Sequence, residues 1–157
     1  MVFIVPKTFI GDFDKIINEV SSILGKPIDK GKYKIIDRGI PHQPKNLSHN
    51  MMGIYTFYYE GKFMKIGKAG VNSKARFLSQ HYNPRSAQSN LAASILSDRR
   101  MQGKGLNENN IGDWIKNNCR RIDILFDSDL GIFTLGLIES ALHYKYEPMY
   151  EGFDAQR

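Results

Sequence analysis

The spacing of apolar and polar positions predicts alternating helical and extended segments along this chain. Residues 11–24 carry apolar side chains at helical spacing after early acidic residues, which predicts a helix. Residues 25–50 are rich in lysine, proline, glycine and histidine, and predict an irregular connector with one short strand candidate, "YKIID". Two short aromatic and aliphatic runs, 53–58 and 62–67, predict the arms of a β-hairpin.

The loop between these arms sets which side chains face each other. A three-residue loop, Tyr59-Glu60-Gly61, puts glycine at the last loop position, where a positive φ is wanted. That loop pairs Tyr55 with Lys65, so both would stand on one face of the sheet. A two-residue loop, Glu60-Gly61, would shift the pairing by one residue and is the disfavoured alternative.

The remaining pattern predicts four further helices and a third strand. Helices are expected over residues 73–82, over "LAASILSDRR" with Asn90 or Ser89 as its cap, over "DWIKNNC", and over "IFTLGLIESALHYKY", which Pro148 ends. The segment "RRIDILFD" alternates as a strand. This order predicts an α+β protein with a small three-stranded antiparallel sheet flanked by helices. We expect one domain, with residues 1–50 as an N-terminal helix and connector and residues 51–157 as the core.

Composition is typical of a soluble globular domain, with 157 residues, 41% of them apolar and 24% charged. The opening run "MVFIV" is too short for a signal-peptide core and lacks a basic leader, and no stretch approaches the roughly 18 apolar residues of a membrane span. Cys119 is the single cysteine, so neither an internal disulfide nor a cysteine metal cluster is possible. We therefore expect a cytoplasmic protein without a membrane partner.

Positive charge is concentrated in one segment. The net charge is +6, yet residues 61–105 alone carry +8 and the rest of the chain sums to −2. Nine basic side chains account for this excess: Lys62, Lys65, Lys68, Lys74, Arg76, Arg85, Arg99, Arg100 and Lys104. A basic run is often only a solvated face, but this concentration favours a surface that follows a phosphate backbone.

Two tripeptides in the hairpin carry a family resemblance. "GIY" at residues 53–55 and "KIG" at residues 65–67 resemble the motif of GIY-YIG nucleases, with lysine at the second tyrosine position. Arg76, in "SKARFLSQHY", matches the catalytic arginine that the family carries on the helix after the second strand. Glu139, in "GLIESALHYKYEP", matches its metal-binding glutamate on a later helix after the third strand. The resemblance covers about residues 51–151.

The resemblance implies a metal-dependent endonuclease acting on double-stranded DNA. Restriction enzymes of this family that combine a tyrosine and a lysine in one site are most similar, so Lys65 strengthens that interpretation. Glu151, in "PMYEG", departs from the asparagine that many members carry there. A repair-type nickase of the same fold and a catalytically silent nucleic-acid-binding protein remain alternatives. One site cuts one strand, so a double-strand break would require a homodimer or two sequential binding events.

The four matched side chains suit phosphodiester hydrolysis by their own chemistry. Tyr55 is the predicted general base, and the Lys65 ammonium would favour its phenolate form. Arg76 offers a planar fork for the scissile phosphate. Glu139 would hold one divalent cation, Mg²⁺ or alternatively Mn²⁺. Singly, the first three residues also fit ordinary structural roles, whereas a carboxylate on the apolar stripe of Glu139 is costly without a partner.

Further candidates lie outside these four positions. Lys68, His81, Arg85, Arg99 and Arg100 are predicted DNA contacts, and Tyr82 is a further second-rank candidate in the same segment. His143, one helical turn after Glu139, would matter mainly for a softer transition metal. No glycine-rich phosphate loop or nucleophile triad supports a small-molecule enzyme.

Overall fold

A computed structural model of the protein describes residues 9–86 and 90–151, so the cap candidate Ser89 lies outside the described residues. Its helices are α1 (Phe9–Ile23), α2 (Lys74–Leu78), α3 (Leu91–Ser97), α4 (Ile111–Asn118) and α5 (Ile132–Tyr146). Its strands are β1 (Tyr33–Gly39), β2 (Met51–Tyr59), β3 (Lys62–Ala69) and β4 (Arg120–Asp127). Short 3₁₀ turns occupy Lys30–Lys32, Gln80–Tyr82, Arg99–Met101 and Ser128–Leu130.

The strands form one antiparallel sheet in the order β1-β4-β2-β3, and the predicted α+β class is confirmed. The sheet has one strand more than the three predicted, because the "YKIID" candidate becomes β1 and pairs with β4 from Tyr33↔Phe126 onward. Tyr33 is buried and Ile35 packs against the core, so apolar burial holds this strand in the sheet. The first 50 residues thus supply a helix and a strand to the same core.

Helices cover both faces of the sheet. On one face, α1 and α5 pack against Ile54, Ile66 and Ile124. On the other, α2, α3 and α4 pack around Phe57 and Phe77. Because β3 lies at an edge of the sheet, side chains from both layers meet around it. None of the helices in the described ranges is both long and apolar enough to cross a membrane.

The hairpin register differs from the prediction. Tyr59 pairs with Lys62, so the loop is the two-residue Glu60-Gly61, with φ of 45° and 84° at these residues. Positive φ at both positions gives a turn whose twist matches that of the strands. A bulge follows, in which Met64 is the extra residue, and the register becomes Phe57↔Lys65 and Tyr55↔Gly67. The predicted pairing of Tyr55 with Lys65 is therefore wrong.

The helix predicted over residues 73–82 is also interrupted. It breaks at Ser79, where the backbone leaves the helical region, into α2 and the turn Gln80–Tyr82. A glycine in β2 allows α2 to lie close to the sheet, since a Cβ at Gly53 would stand 2.9 Å or less from the ring of Phe77. Asn90 caps α3 as predicted, accepting a hydrogen bond from the Ala93 amide at 2.8 Å.

Candidate active site

A cleft of about 510 Å³ opens at the edge strand β3. The four side chains predicted to carry chemistry all line it: Tyr55 from β2, Lys65 from β3, Arg76 from α2 and Glu139 from α5. Lys68 joins them, and the wall is completed by Ile66, Gly67, Gly70, Ser73, Ile132, Leu135, His143 and Glu151. Residues that lie 84 positions apart in the chain thus meet in one concave site.

Tyr55 is held between a glycine and an arginine. Its ring is fully buried and lies directly over Gly67, where a Cβ would stand 2.5 Å from the Tyr55 Cζ atom. Any larger residue in place of Gly67 would therefore displace the Tyr55 ring. The Arg76 Nε–H donates to the phenol oxygen at 3.2 Å. The phenol oxygen and the guanidinium consequently face the cleft as a connected pair.

Burial raises the pKa of Tyr55 to about 12, although the positive charge of Arg76 and its hydrogen bond act to lower it. The negative charges of Glu151 and Glu139 raise the pKa further. Lys65 stands across from Phe57 rather than Tyr55, so the cation that touches the phenol is Arg76. The resting protein therefore keeps Tyr55 as a neutral phenol at neutral pH.

Lys65 has a partner that sequence reasoning did not foresee. Its Nζ lies 3.2 Å from Glu151 Oε1, and the Lys65 side chain is only 3% exposed. The segment after α5 brings Glu151 there by hydrogen bonding to the outer edge of β3, with Met149 N to Phe63 O and Tyr150 N to Met64 O, both at 3.0 Å. The chain's C-terminal segment thus supplies an acidic partner for Lys65 in the wall of the cleft.

Glu139 is mostly covered, and its carboxylate binds Lys68, with Nζ and Oε1 2.7 Å apart. His143, one turn further along α5, bonds through Nε2 to the Ile66 carbonyl at 2.6 Å, so this nitrogen is engaged with the backbone. The described residues contain no group of three or more His, Cys, Asp or Glu side chains arranged to hold a metal ion. A single carboxylate fits Mg²⁺, which completes its coordination with phosphate and water oxygens.

A buried charge network behind the cleft fixes α2. Arg121 is fully buried and donates to Asp123 Oδ1 at 2.8 Å, to the Tyr82 hydroxyl at 2.9 Å and to the Phe77 carbonyl at 2.7 Å. Since Phe77 follows Arg76, this network holds the backbone next to Arg76 in place. Sequence reasoning missed Arg121 and Asp123. The sequence feature that could have identified them is the alternation of these two charged residues with isoleucines in a predicted strand. Because β4 is paired on both sides, these charges are buried and need partners.

His81 lies behind the cleft rather than on an exposed surface. It is 2% exposed, its ring centroid is 4.4 Å from that of Tyr55, and its Nδ1 accepts from the Leu91 amide at 3.1 Å. Burial and the nearby charge of Lys65 lower the pKa of His81 to about 2. A neutral ring that supports Tyr55 therefore replaces the predicted phosphate contact.

The three arginines predicted to grip DNA do not enter the cleft. Arg85 is exposed and pairs with Glu108, and Arg100 donates to Asp98 Oδ1 at 3.0 Å. Arg99 is exposed on the same 3₁₀ turn as Arg100. All three side chains are exposed, and two of them already have acidic partners.

Comparison with other proteins adds nothing to this picture. No family model matches the chain, and no curated protein or solved structure matches it significantly. The function therefore has to be inferred from the residues of the cleft themselves.

Proposed function

We propose that this protein is a metal-dependent DNA endonuclease that hydrolyses phosphodiester bonds, in the manner of a restriction enzyme. The observation that supports this most directly is the convergence of Tyr55, Lys65, Arg76 and Glu139 in one cleft from four different elements. A protein that only bound nucleic acid would need positive charge there. It would have no use for a buried phenol or for a carboxylate that faces the phosphate.

Arg76 is the residue that links substrate to base. Its Nε–H is engaged with the Tyr55 oxygen, which leaves the terminal nitrogens of its fork for the phosphate. A phosphate bound there would lie next to the phenol, so an attacking water could sit between Tyr55 and the phosphorus. Tyr55 would release its own proton to solvent once positive charge enters the cleft, and the resulting phenolate would then orient this water and accept its proton.

The raised pKa of Tyr55 requires that positive charge enters the cleft before the phenolate forms. Mg²⁺ bound at Glu139 would neutralise charge on the phosphate and would replace a negative charge that raises the Tyr55 pKa with a positive one. Lys65 would hold Glu151 and keep its charge from the phenol, since the two form an ion pair in the cleft wall. These proposed roles fall to residues on separate elements of the chain.

Incubation of the purified protein with supercoiled plasmid tests this proposal. Cleavage should occur with Mg²⁺, stop with EDTA, and nearly vanish in Tyr55→Phe and in Glu139→Gln. Tyr58→Phe is the matched control, since Tyr58 lies on the same strand outside the cleft, and it should cut like the wild type. Full activity in Tyr55→Phe would contradict the role of the phenol.

The product distinguishes the forms of this activity. Discrete linear fragments support a restriction enzyme, and because one such site cuts one strand, these cuts would require a homodimer or two sequential binding events. Nicked circles would indicate repair-type incision, and binding without any cleavage would indicate a silent nucleic-acid-binding protein. We place the activity in the cytoplasm, since Cys119 is the chain's single cysteine and is buried as a free thiol.

A further inference from the structure

The ion pair between Lys68 and Glu139 occupies the carboxylate that the proposed function assigns to the cation. Lys68 Nζ and Glu139 Oε1 are 2.7 Å apart, in the range of a strong charge-assisted hydrogen bond. The Glu139 side chain is 14% exposed, whereas that of Lys68 is 48% exposed. The carboxylate is therefore fixed within the wall of the cleft, and the ammonium reaches it from a half-exposed position.

A covered carboxylate needs a cation, and here the protein itself supplies one. Without a partner, the negative charge of Glu139 would be costly among the buried side chains of its helix, which include Leu135, Ile138 and Leu142. His143 is not a substitute, because its Nε2 is bonded to the Ile66 carbonyl. Lys68 thus performs in the resting protein the electrostatic task that a metal ion would perform during the reaction.

Of the two lysines in the cleft, Lys68 is the one able to move. Lys65 is 3% exposed at its side chain and pairs with Glu151 inside the wall. Lys68 lies on the edge strand with nearly half of its side chain in solvent, and a lysine stem has four flexible carbons. It can leave Glu139 and point into the cleft without disturbing the core.

We propose that Lys68 and the divalent cation exchange at Glu139, and that the displaced Lys68 ammonium then binds a phosphate oxygen of the DNA. The inference rests on the proposed nuclease function and specifies how its substrates cooperate. Metal binding frees Lys68 for DNA, and DNA binding draws Lys68 away from Glu139. By thermodynamic reciprocity, each of the two ligands must then tighten the binding of the other by the same factor.

Metal binding in the absence of DNA tests the first half. Mn²⁺ binding, followed by its EPR signal, should be about fivefold or more tighter in Lys68→Met than in the wild type, since the competing ammonium is gone. Lys62→Met, an exposed lysine of the same strand outside the cleft, should bind Mn²⁺ like the wild type. Glu139→Gln should remove the binding in both the wild-type and the Lys68→Met background.

DNA binding tests the second half. Ca²⁺ replaces Mg²⁺ so that the DNA stays uncut, and the affinity for a short duplex is measured with and without the ion. Ca²⁺ should tighten DNA binding several-fold in the wild type and clearly less in Lys68→Met. Circular dichroism should show the same fold in all variants, because Lys68 is half exposed.

The outcomes separate this inference from the function on which it rests. Unchanged or weaker Mn²⁺ binding in Lys68→Met, with binding still lost in Glu139→Gln, would overturn the exchange but leave the nuclease proposal standing. Equal enhancement of DNA affinity by Ca²⁺ in the wild type and Lys68→Met would also overturn it. Mn²⁺ binding that is the same in the wild type and Glu139→Gln would overturn the metal site itself, and the exchange with it.

Discussion

Replacing Gly67 with alanine should misplace the proposed general base while leaving the fold intact. The new Cβ would stand 2.5 Å from the Tyr55 Cζ atom, whereas ordinary van der Waals contact begins near 3.4 Å. The ring must therefore shift by about 1 Å away from β3, and the phenol oxygen must shift with it. A displacement of about 1 Å in a reacting group costs on the order of 100-fold in rate. Overpacking a buried site of this kind also costs about 1–3 kcal/mol in the free energy of unfolding.

Plasmid cleavage rates and urea unfolding measure the two effects of Gly67→Ala separately. Gly70→Ala is the matched control, because Gly70 also lines the cleft but a Cβ there would meet nothing within 4 Å. It should keep both wild-type activity and wild-type stability.

A double variant isolates the cause of the rate loss. In a Tyr55→Phe background the phenol is already absent, so Gly67→Ala should add little to the loss of activity. Wild-type cleavage by Gly67→Ala would refute the assignment of Tyr55 as a positioned catalytic group, and so would a loss that simply multiplies with that of Tyr55→Phe.

Three further predictions concern the buried charge network, the buried histidines and the exposed arginines Arg99 and Arg100. Arg121→Met should lower the free energy of unfolding by about 3–5 kcal/mol, because Asp123 Oδ1 and the Phe77 carbonyl lose their buried donor, although Asp123 keeps Arg38, whose Nε lies 3.0 Å from Oδ2. A loss below about 1 kcal/mol in urea unfolding would contradict this. Burial lowers the pKa of His42 to about 4 and that of His81 to about 2 from 6.5, so between pH 6.5 and 4 the unfolded chain binds more protons than the folded one. The free energy of unfolding should therefore fall by about 2 kcal/mol per histidine between pH 7 and pH 5. His42→Gln should lose about 2 kcal/mol less than the wild type over this pH range. An equal loss in the variant and the wild type would contradict the lowered pKa of His42. Arg99→Ala should reduce the slope of the log–log salt dependence of DNA affinity by about 0.9. Arg100→Ala should reduce that slope by less, since Arg100 is already bonded to Asp98. Identical slopes in both variants and the wild type would remove both arginines from the DNA interface.

Local sequence determined most of the elements. The helix over "IFTLGLIESALHYKY" and the strand over "RRIDILFD" coincide with α5 and β4. A long, largely apolar segment that ends before a proline favours a helix, and a short run of branched apolar residues favours a strand, with little help from the rest of the chain. The predicted positive φ at Gly61 is confirmed, although the loop is shorter than predicted. The four chemical positions were also visible in sequence, and the structure brings all four to one cleft.

The register of the hairpin was decided by packing. Met64, the extra residue of the bulge, is buried, and its Sδ atom lies 3.8 Å from the Sγ atom of Cys119. Local propensity cannot reveal such a bulge, because the extra residue is stabilised by a neighbour 55 positions later. β1 likewise depends on a partner that is distant in sequence, because it joins the sheet by pairing with β4.

Tertiary structure alone decided which charges meet in the site. Sequence reasoning assigned Lys65 to Tyr55, yet Arg76 holds the phenol, Lys65 holds Glu151 and Lys68 holds Glu139. Each of these contacts joins residues at least 21 positions apart, so chain folding rather than local spacing places them. The sequence by itself determined which functional groups are present, and the folded packing determined their partners, their burial and hence the raised pKa of Tyr55.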